Sequence, residues 1–329
     1  MEQFQAEPMV NSDLPIVQKE EIISSGSPFI EANTISISLE EIRSSHIIPV
    51  FIKDNEPLIS QVDFVESMNE MAEEVFLSET ILRPSIRLSH PIKGRIPSAK
   101  NKPSFALLES EKTIYYERMA FVIEIPSIQD EIDGQMLSLM VGGVKSFNED
   151  NLYNKKGADE HFKIFIGFKN TVCTNLCIWT DGFMGDLKVR NLGQLKASIF
   201  TLLNSYNANY HLFHLKQIAS YSLTEQQFAL LVGRSKMYGY LPTNQKKDIP
   251  PLFFGDAQLN AVTREFYRDT NFSRHEDGTI NLWQIYNLFT GANKSSYIDS
   301  FLERSVNAFD FVEQIRFALE GKNTSWYLS

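Results

Sequence analysis

The chain has 329 residues, 43% hydrophobic and 12% aromatic, enough to bury one large core or two smaller ones. Its net charge of −10 argues against a protein that coats duplex nucleic acid everywhere, and two cysteines are too few for a disulfide framework. No run approaches the roughly 18 apolar residues of a membrane-spanning helix. The first ten residues lack a basic region followed by an apolar one, so the reading is a cytoplasmic protein with reduced thiols and no membrane partner.

The charge is unevenly placed. Residues 1–82 carry 16 acidic against 3 basic side chains, whereas residues 83–102 carry Arg83, Arg87, Lys93, Arg95, Lys100 and Lys102 with no acid. Residues 1–35 mix Gln, Glu, Ser and Pro without apolar period and read as a disordered acidic tail. Ser38 with Glu41 predicts a capped short helix, Pro49–Ile52 a strand, and Ser60 with Asp63 a second capped helix. That helix carries Phe64, Val65, Met68, Met71, Ala72, Val75 and Phe76 on one stripe, which should lie on a sheet.

From Pro84 the texture changes to five β-rich runs: SIRLS, TIYYERMAFVIEI, MLSLMVGGVKSF, HFKIFIGF and TVCTNLCIW. They predict an antiparallel sheet over about residues 84–190, with Pro126–Gln135 as a hairpin connection through Asp133 and Gly134. Gly142 and Gly143 inside a run predict a bulge, with a close backbone approach as the alternative. Beyond Leu192 the period is helical. Leu195, Ile199, Leu202, Leu203 and Tyr206 form one stripe, Thr224 and Gln227 cap the next helix, and helices follow at about 256–269 and 280–290. Ser296 and Asp299 open the last one, and Gly321 closes it. The fold class is α+β with a helical C-terminal half: residues 36–329 form one domain, with a subdivision near 191 as the alternative.

Candidate chemistry is sparse. Cys173 and Cys177 with His211 and His214 have the ligand types of a zinc site, but on one strand the two thiols would stand about 13 Å apart. A thiol nucleophile with a histidine and Asp181 has no spacing to select its partner, and packed thiols are the plainer reading. The pairs Glu149/Asp150 and Asp159/Glu160 read as solvated loop charges. Phosphate-loop, dinucleotide, HExxH and Gly-x-Ser-x-Gly patterns are absent. No cofactor or metal is expected. The basic segment, with Lys145, Lys155, Lys156, Lys163 and Lys169 nearby, supplies cations for phosphates, and Tyr115, Tyr116 and Phe147 supply faces for unpaired bases.

Five strings carry a resemblance: SHPIKGRIP (Ser89–Pro97), YYERMAF (Tyr115–Phe121), VGGVKSFNEDNLY (Val141–Tyr153), FIGFKNTVCTNLCIWTDG (Phe165–Gly182) and LWQIYNLFTGANKSSYIDSF (Leu282–Phe301). With them the chain, from about Leu39 to Asn323, resembles the bacterial family of the domain of unknown function 3871. That family is itself similar to a broader phage and plasmid-like protein family. The resemblance implies Cys173, Thr174 and Asn175 as the broader family's cysteine-threonine-asparagine element, and Trp283 and Asn287 as its late helix element. The chain departs from that pattern in its acidic tail and in GANKSSYI (Gly291–Ile298). The resemblance implies carriage on mobile elements and no particular activity.

The expectation is a non-enzymatic accessory protein of a mobile element that binds single-stranded DNA through Arg83, Arg87, Lys93, Arg95, Lys100, Lys102 and Lys145. The alternatives are an enzyme using a cysteine or metal, and a protein-protein regulator whose partner meets the acidic tail.

Overall fold

The computed structural model describes residues 28–45, 59–89, 92–146 and 159–329. The strand expected at Pro49–Ile52 and most of the acidic tail lie outside the described residues. Residues 28–35, read as tail from the sequence, are built into the fold: Phe29 and Ile30 are buried, and the Glu31 and Ala32 amides donate to the Lys294 carbonyl at 2.8 and 3.2 Å.

Strand β1 (Thr34–Ile37) leads into α1 (Leu39–Ser45), where Ser38 Oγ accepts the Glu41 amide as its spacing predicts. Helix α2 (Gln61–Val75) opens on the predicted capping box of Ser60 and Asp63. Then come β2 (Ser85–Ser89), β3 (Ile92–Arg95), β4 (Lys112–Tyr116), β5 (Arg118–Ile132), β6 (Gln135–Ser146), β7 (Glu160–Asn170) and β8 (Leu176–Val189). The helical half comprises α3 (Leu192–Ser205), α4 (Ala208–Ala219), the short β9 (Ser222–Leu223), α5 (Glu225–Tyr240), α6 (Thr243–Lys246) and α7 (Asp256–Arg268). It ends with β10 (Ile280–Asn281), α8 (Leu282–Asn293) and α9 (Ile298–Leu319).

The main sheet is antiparallel in the order β1-β2-β5-β6-β7-β8. Strand parity sends Phe121, Ile123, Leu139, Val141, Phe162, Ile164 and Phe168 into the larger core, and Ala120, Val122, Met140, Val144 and Phe165 to the opposite face. The predicted stripe of α2 covers the first face. Phe64 meets the Phe121 and Phe162 rings edge-on at 5.0 and 4.8 Å, a burial worth about 2 to 3 kcal/mol. Phe29, Ile30, Phe301 and Leu302 cover the second face, so the sheet is closed on both sides.

Four expectations change in detail. The 113–125 run breaks at Glu117: β4 turns away to pair with β3 in a separate two-stranded sheet, and β5 joins the main one. The hairpin connection narrows to Asp133 and Gly134, both with positive φ (50° and 75°), because Pro126, which lacks an amide to donate, is absorbed at a bulge between Ile125 and Gln129. Gly142 and Gly143 mark no bulge, since the ladders to β5 and β7 run through them in register. They are close approaches. A Cβ on Gly142 would strike the Phe121 carbonyl, and one on Gly143 the Phe64 ring. Finally, α9 is capped by Tyr297 rather than Ser296, whose hydroxyl is tied to Asn293 Oδ1 (2.7 Å) and Gln258 Nε2 (2.6 Å); Gly321, at φ 73°, follows its end as expected.

Candidate functional site

The run Thr171–Trp179, expected as one strand, is a turn followed by the start of β8. Asn170 makes the turn: its Oδ1 accepts the amides of Val172 (2.9 Å) and Cys173 (3.3 Å), and its carbonyl accepts that of Thr174 (2.9 Å). Thr174 adopts φ 58°, a conformation that costs a β-branched residue energy and persists only where neighbours hold it. Those neighbours are visible. The Thr174 hydroxyl donates to the Cys173 carbonyl at 2.7 Å and accepts from Lys294 Nζ at 3.0 Å, and the same ammonium donates to the Cys173 carbonyl.

The next residue joins two distant parts of the sequence. Asn175 Nδ2 donates to the Asn287 carbonyl (3.0 Å) and to Asn287 Oδ1 (3.2 Å), across a separation of 112 residues, and Asn287 Nδ2 donates to the Trp283 carbonyl (3.0 Å). The five residues assigned by resemblance, Cys173, Thr174, Asn175, Trp283 and Asn287, therefore meet at one seam between the β7–β8 turn and α8. Trp283 lies fully buried beneath it.

Beside this seam opens a cleft of about 300 Å³. Cys173, Asn175, Asn287 and Lys294 line it with polar groups, while Glu31, Arg264, Glu265 and Asp269 bring charge. Phe272, Leu288 and Ala292 add apolar wall. Burial lowers the Lys294 pKa and pushes the Cys173 thiol from 9.0 up to about 11. Cys177, fully buried, is raised further by the same cause. Neither cysteine is in a disulfide, but this environment suppresses the thiolate, the nucleophilic form.

The candidate metal set weighed from the sequence does not assemble. Among the described residues no three His, Cys, Asp or Glu side chains are placed to hold an ion. His211 is enclosed, bonded through Nδ1 to the Tyr206 hydroxyl at 2.6 Å, and burial lowers its pKa to about 3. His214 Nδ1 pairs with Glu313 at 2.7 Å, and Asp181 stands exposed on β8.

The basic residues separate into three groups. Arg87 is structural: it donates to Thr34 Oγ1 (3.0 Å) and the Thr34 carbonyl (2.9 Å), tying β2 to β1, and burial lowers its pKa. Lys145 is a correction. It is 0% exposed, its ammonium bonded to Glu160 and the Ile59 carbonyl, both at 2.7 Å, so it presents no charge to a surface ligand. Glu160, expected as a solvated loop charge, is its buried partner, and Ile59 N also donates to it. Lys163 and Lys169 likewise meet Glu303 (2.6 Å) and Glu124. The third group is the β3–β4 hairpin, which carries Lys93, Arg95, Lys100, Lys102 and Lys112 against Glu109 and Glu111. There Arg95 holds the carbonyls of Lys100 and Lys102, Lys102 pairs with Glu111 while 43% exposed, and Lys100 is exposed. Phe105, in the connection between the two strands, is 90% exposed. Arg83 is exposed ahead of β2. Lys155, Lys156, Phe147 and the side chains of Lys93, Tyr115 and Tyr116 lie outside the described residues.

Sequence reasoning missed Phe105 and Lys294. Phe105 sits in a short Pro, Ser and Ala context with no period to flag it. Lys294 falls in GANKSSYI, between two helical periods, and no periodicity there flags it.

No curated protein and no solved structure matches this chain. A family model matches almost its whole length, residues 12–328, a span that includes both the seam and the hairpin. By that match the chain belongs to the family described as "Domain of unknown function, B. Theta Gene description (DUF3871)".

Proposed function

We propose that the chain is a non-enzymatic, cytoplasmic accessory protein of a mobile element that binds single-stranded DNA, and that the β3–β4 hairpin makes the contact. One observation carries the reading. On a chain of net charge −10, the hairpin carries five cations in sequence, of which Lys100 is exposed, together with a phenylalanine that is 90% exposed. Phosphates need the former and unpaired bases stack on the latter. Of the aromatics expected from sequence, Phe147 and the side chains of Tyr115 and Tyr116 lie outside the described residues, while Phe121, Phe162, Phe165 and Phe168 of the main sheet are buried between covering layers, so Phe105 is the exposed ring on which the reading rests. The mobile-element role rests on the resemblance to phage and plasmid-like proteins.

The test is fluorescence anisotropy of a labelled oligothymidine over a salt series. Wild type should bind with affinity falling as salt rises. Phe105→Ala should weaken binding about tenfold, the worth of one stacked base, and Lys100→Glu should reduce the salt slope by about one or more. Arg87 is an unsuitable probe, since its loss would loosen β1 from β2. No salt-dependent binding by wild type, or unchanged binding by the Phe105→Ala/Lys100→Glu double variant, rejects the reading.

A further inference from the structure

The cleft beside the Asn175–Asn287 seam has a chemistry unrelated to the hairpin. At about 300 Å³ it lies at the small end of ligand sites, which suits a metabolite rather than a polymer. Asn175 is 3% exposed and its Nδ2 is committed to Asn287; among the described residues no donor reaches its Oδ1, which is not fully enclosed and so opens to the cleft it lines. A carbonyl oxygen open to a cleft is an acceptor that a ligand N–H group can take over from water. The charged lining asks for the same. Three carboxylates, Glu31, Glu265 and Asp269, line it with two cations; Asp269 Oδ1 accepts the Asn271 and Phe272 amides at 2.8 and 2.9 Å, and the Lys294 ammonium already serves Cys173 and Thr174. Arg264, more than half exposed, lines the cleft and, among the described residues, pairs only with its neighbour Glu265 at 2.6 Å. Gly291 keeps the space open, because a Cβ there would rest 3.8 Å from Asn175 Nδ2, in ordinary contact, and anything longer would fill the cleft.

We propose that this cleft binds a small amino-bearing zwitterion of the amino-acid class. Its ammonium is held by Asn175 Oδ1 with the Asp269 and Glu31 carboxylates, and its carboxylate by Arg264. The thiol of Cys173, which lines the same space, reports occupancy.

The test uses the full chain with each common amino acid at millimolar concentration, read by thermal unfolding and by the rate of iodoacetamide labelling of Cys173 at about pH 9. At least one amino acid should raise the unfolding midpoint and slow the labelling, both saturably. Gly291→Leu should abolish both effects. Arg264→Ala, at an exposed position, should weaken binding about tenfold, as loss of a charge-assisted hydrogen bond does. No effect of any amino acid on wild type overturns the proposal, as does an effect that persists in folded Gly291→Leu. Should that variant fail to fold, unchanged affinity in Arg264→Ala overturns it equally. The hairpin contributes no residue to the cleft, so a negative DNA result leaves this proposal standing.

Discussion

The main sheet and the β3–β4 hairpin are both strand-rich and both carry lysines, yet they treat the charge in opposite ways. Each described sheet lysine named as a candidate meets a carboxylate from another strand or helix: Lys145 with Glu160, Lys163 with Glu303, Lys169 with Glu124. The hairpin segment has five cations to two acids in sequence, and there Lys102 pairs with Glu111 while Lys100 is exposed. A cluster of positive residues in a sequence is therefore a statement about composition. It becomes a surface field only where the fold brings no acid to meet it.

That contrast can be broken in three places. The largest effect is expected at Lys145. Lys145→Met strands Glu160 in the core and should cost about 3 to 5 kcal/mol in urea unfolding, with Lys145→Met/Glu160→Gln recovering part of the loss. A cost below about 1 kcal/mol would mean that the pair is not closed to water.

The second sits in the core beside the sheet, at His211. Its pKa is about 3 when folded against 6.5 ordinarily, so between those values the unfolded chain takes up a proton that the folded chain refuses. Stability is then full above pH 6.5 and falls as pH drops through that window, by about 1.4 kcal/mol per pH unit. Relative to His211→Gln, wild type should lose about 2 kcal/mol more between about pH 6.5 and about pH 5. Parallel acid limbs would show that His211 titrates normally and is open to solvent.

The smallest effect belongs to the hairpin. Phe105→Ala and Lys100→Glu should each leave unfolding stability within about 0.5 kcal/mol of wild type, because neither side chain is buried. A larger loss would mark Phe105 as packed, and the two regions would no longer differ in kind.

Much of the contrast was legible as parity. Lys145 stands in step with Leu137, Leu139 and Val141 along β6, and Glu160 with Phe162 and Ile164 along β7, so period-two alternation already points both inward. Their partnership was not legible, because it depends on register across the strands. The two glycines show the same divide: their place in a strand was readable, but the Phe64 ring and the Phe121 carbonyl that require them arrive from other elements. The candidate site divides likewise. Its residues carried a resemblance, whereas the turn that lifts Cys173 out of the strand and the bond from Asn175 to Asn287 belong to the folded chain.

What the sequence by itself determined is whatever acts over a few residues: helix stripes, capping boxes, the Asp133–Gly134 hairpin, strand alternation and hence the α+β class. Only the tertiary structure decided which charges are neutralised, that both sheet faces are covered, and that a cleft opens beside Asn175. Propensity and periodicity arise from local sterics and dihedral preferences, while burial, pairing and cavities arise from contacts between elements far apart in the chain, whose geometry no local pattern encodes.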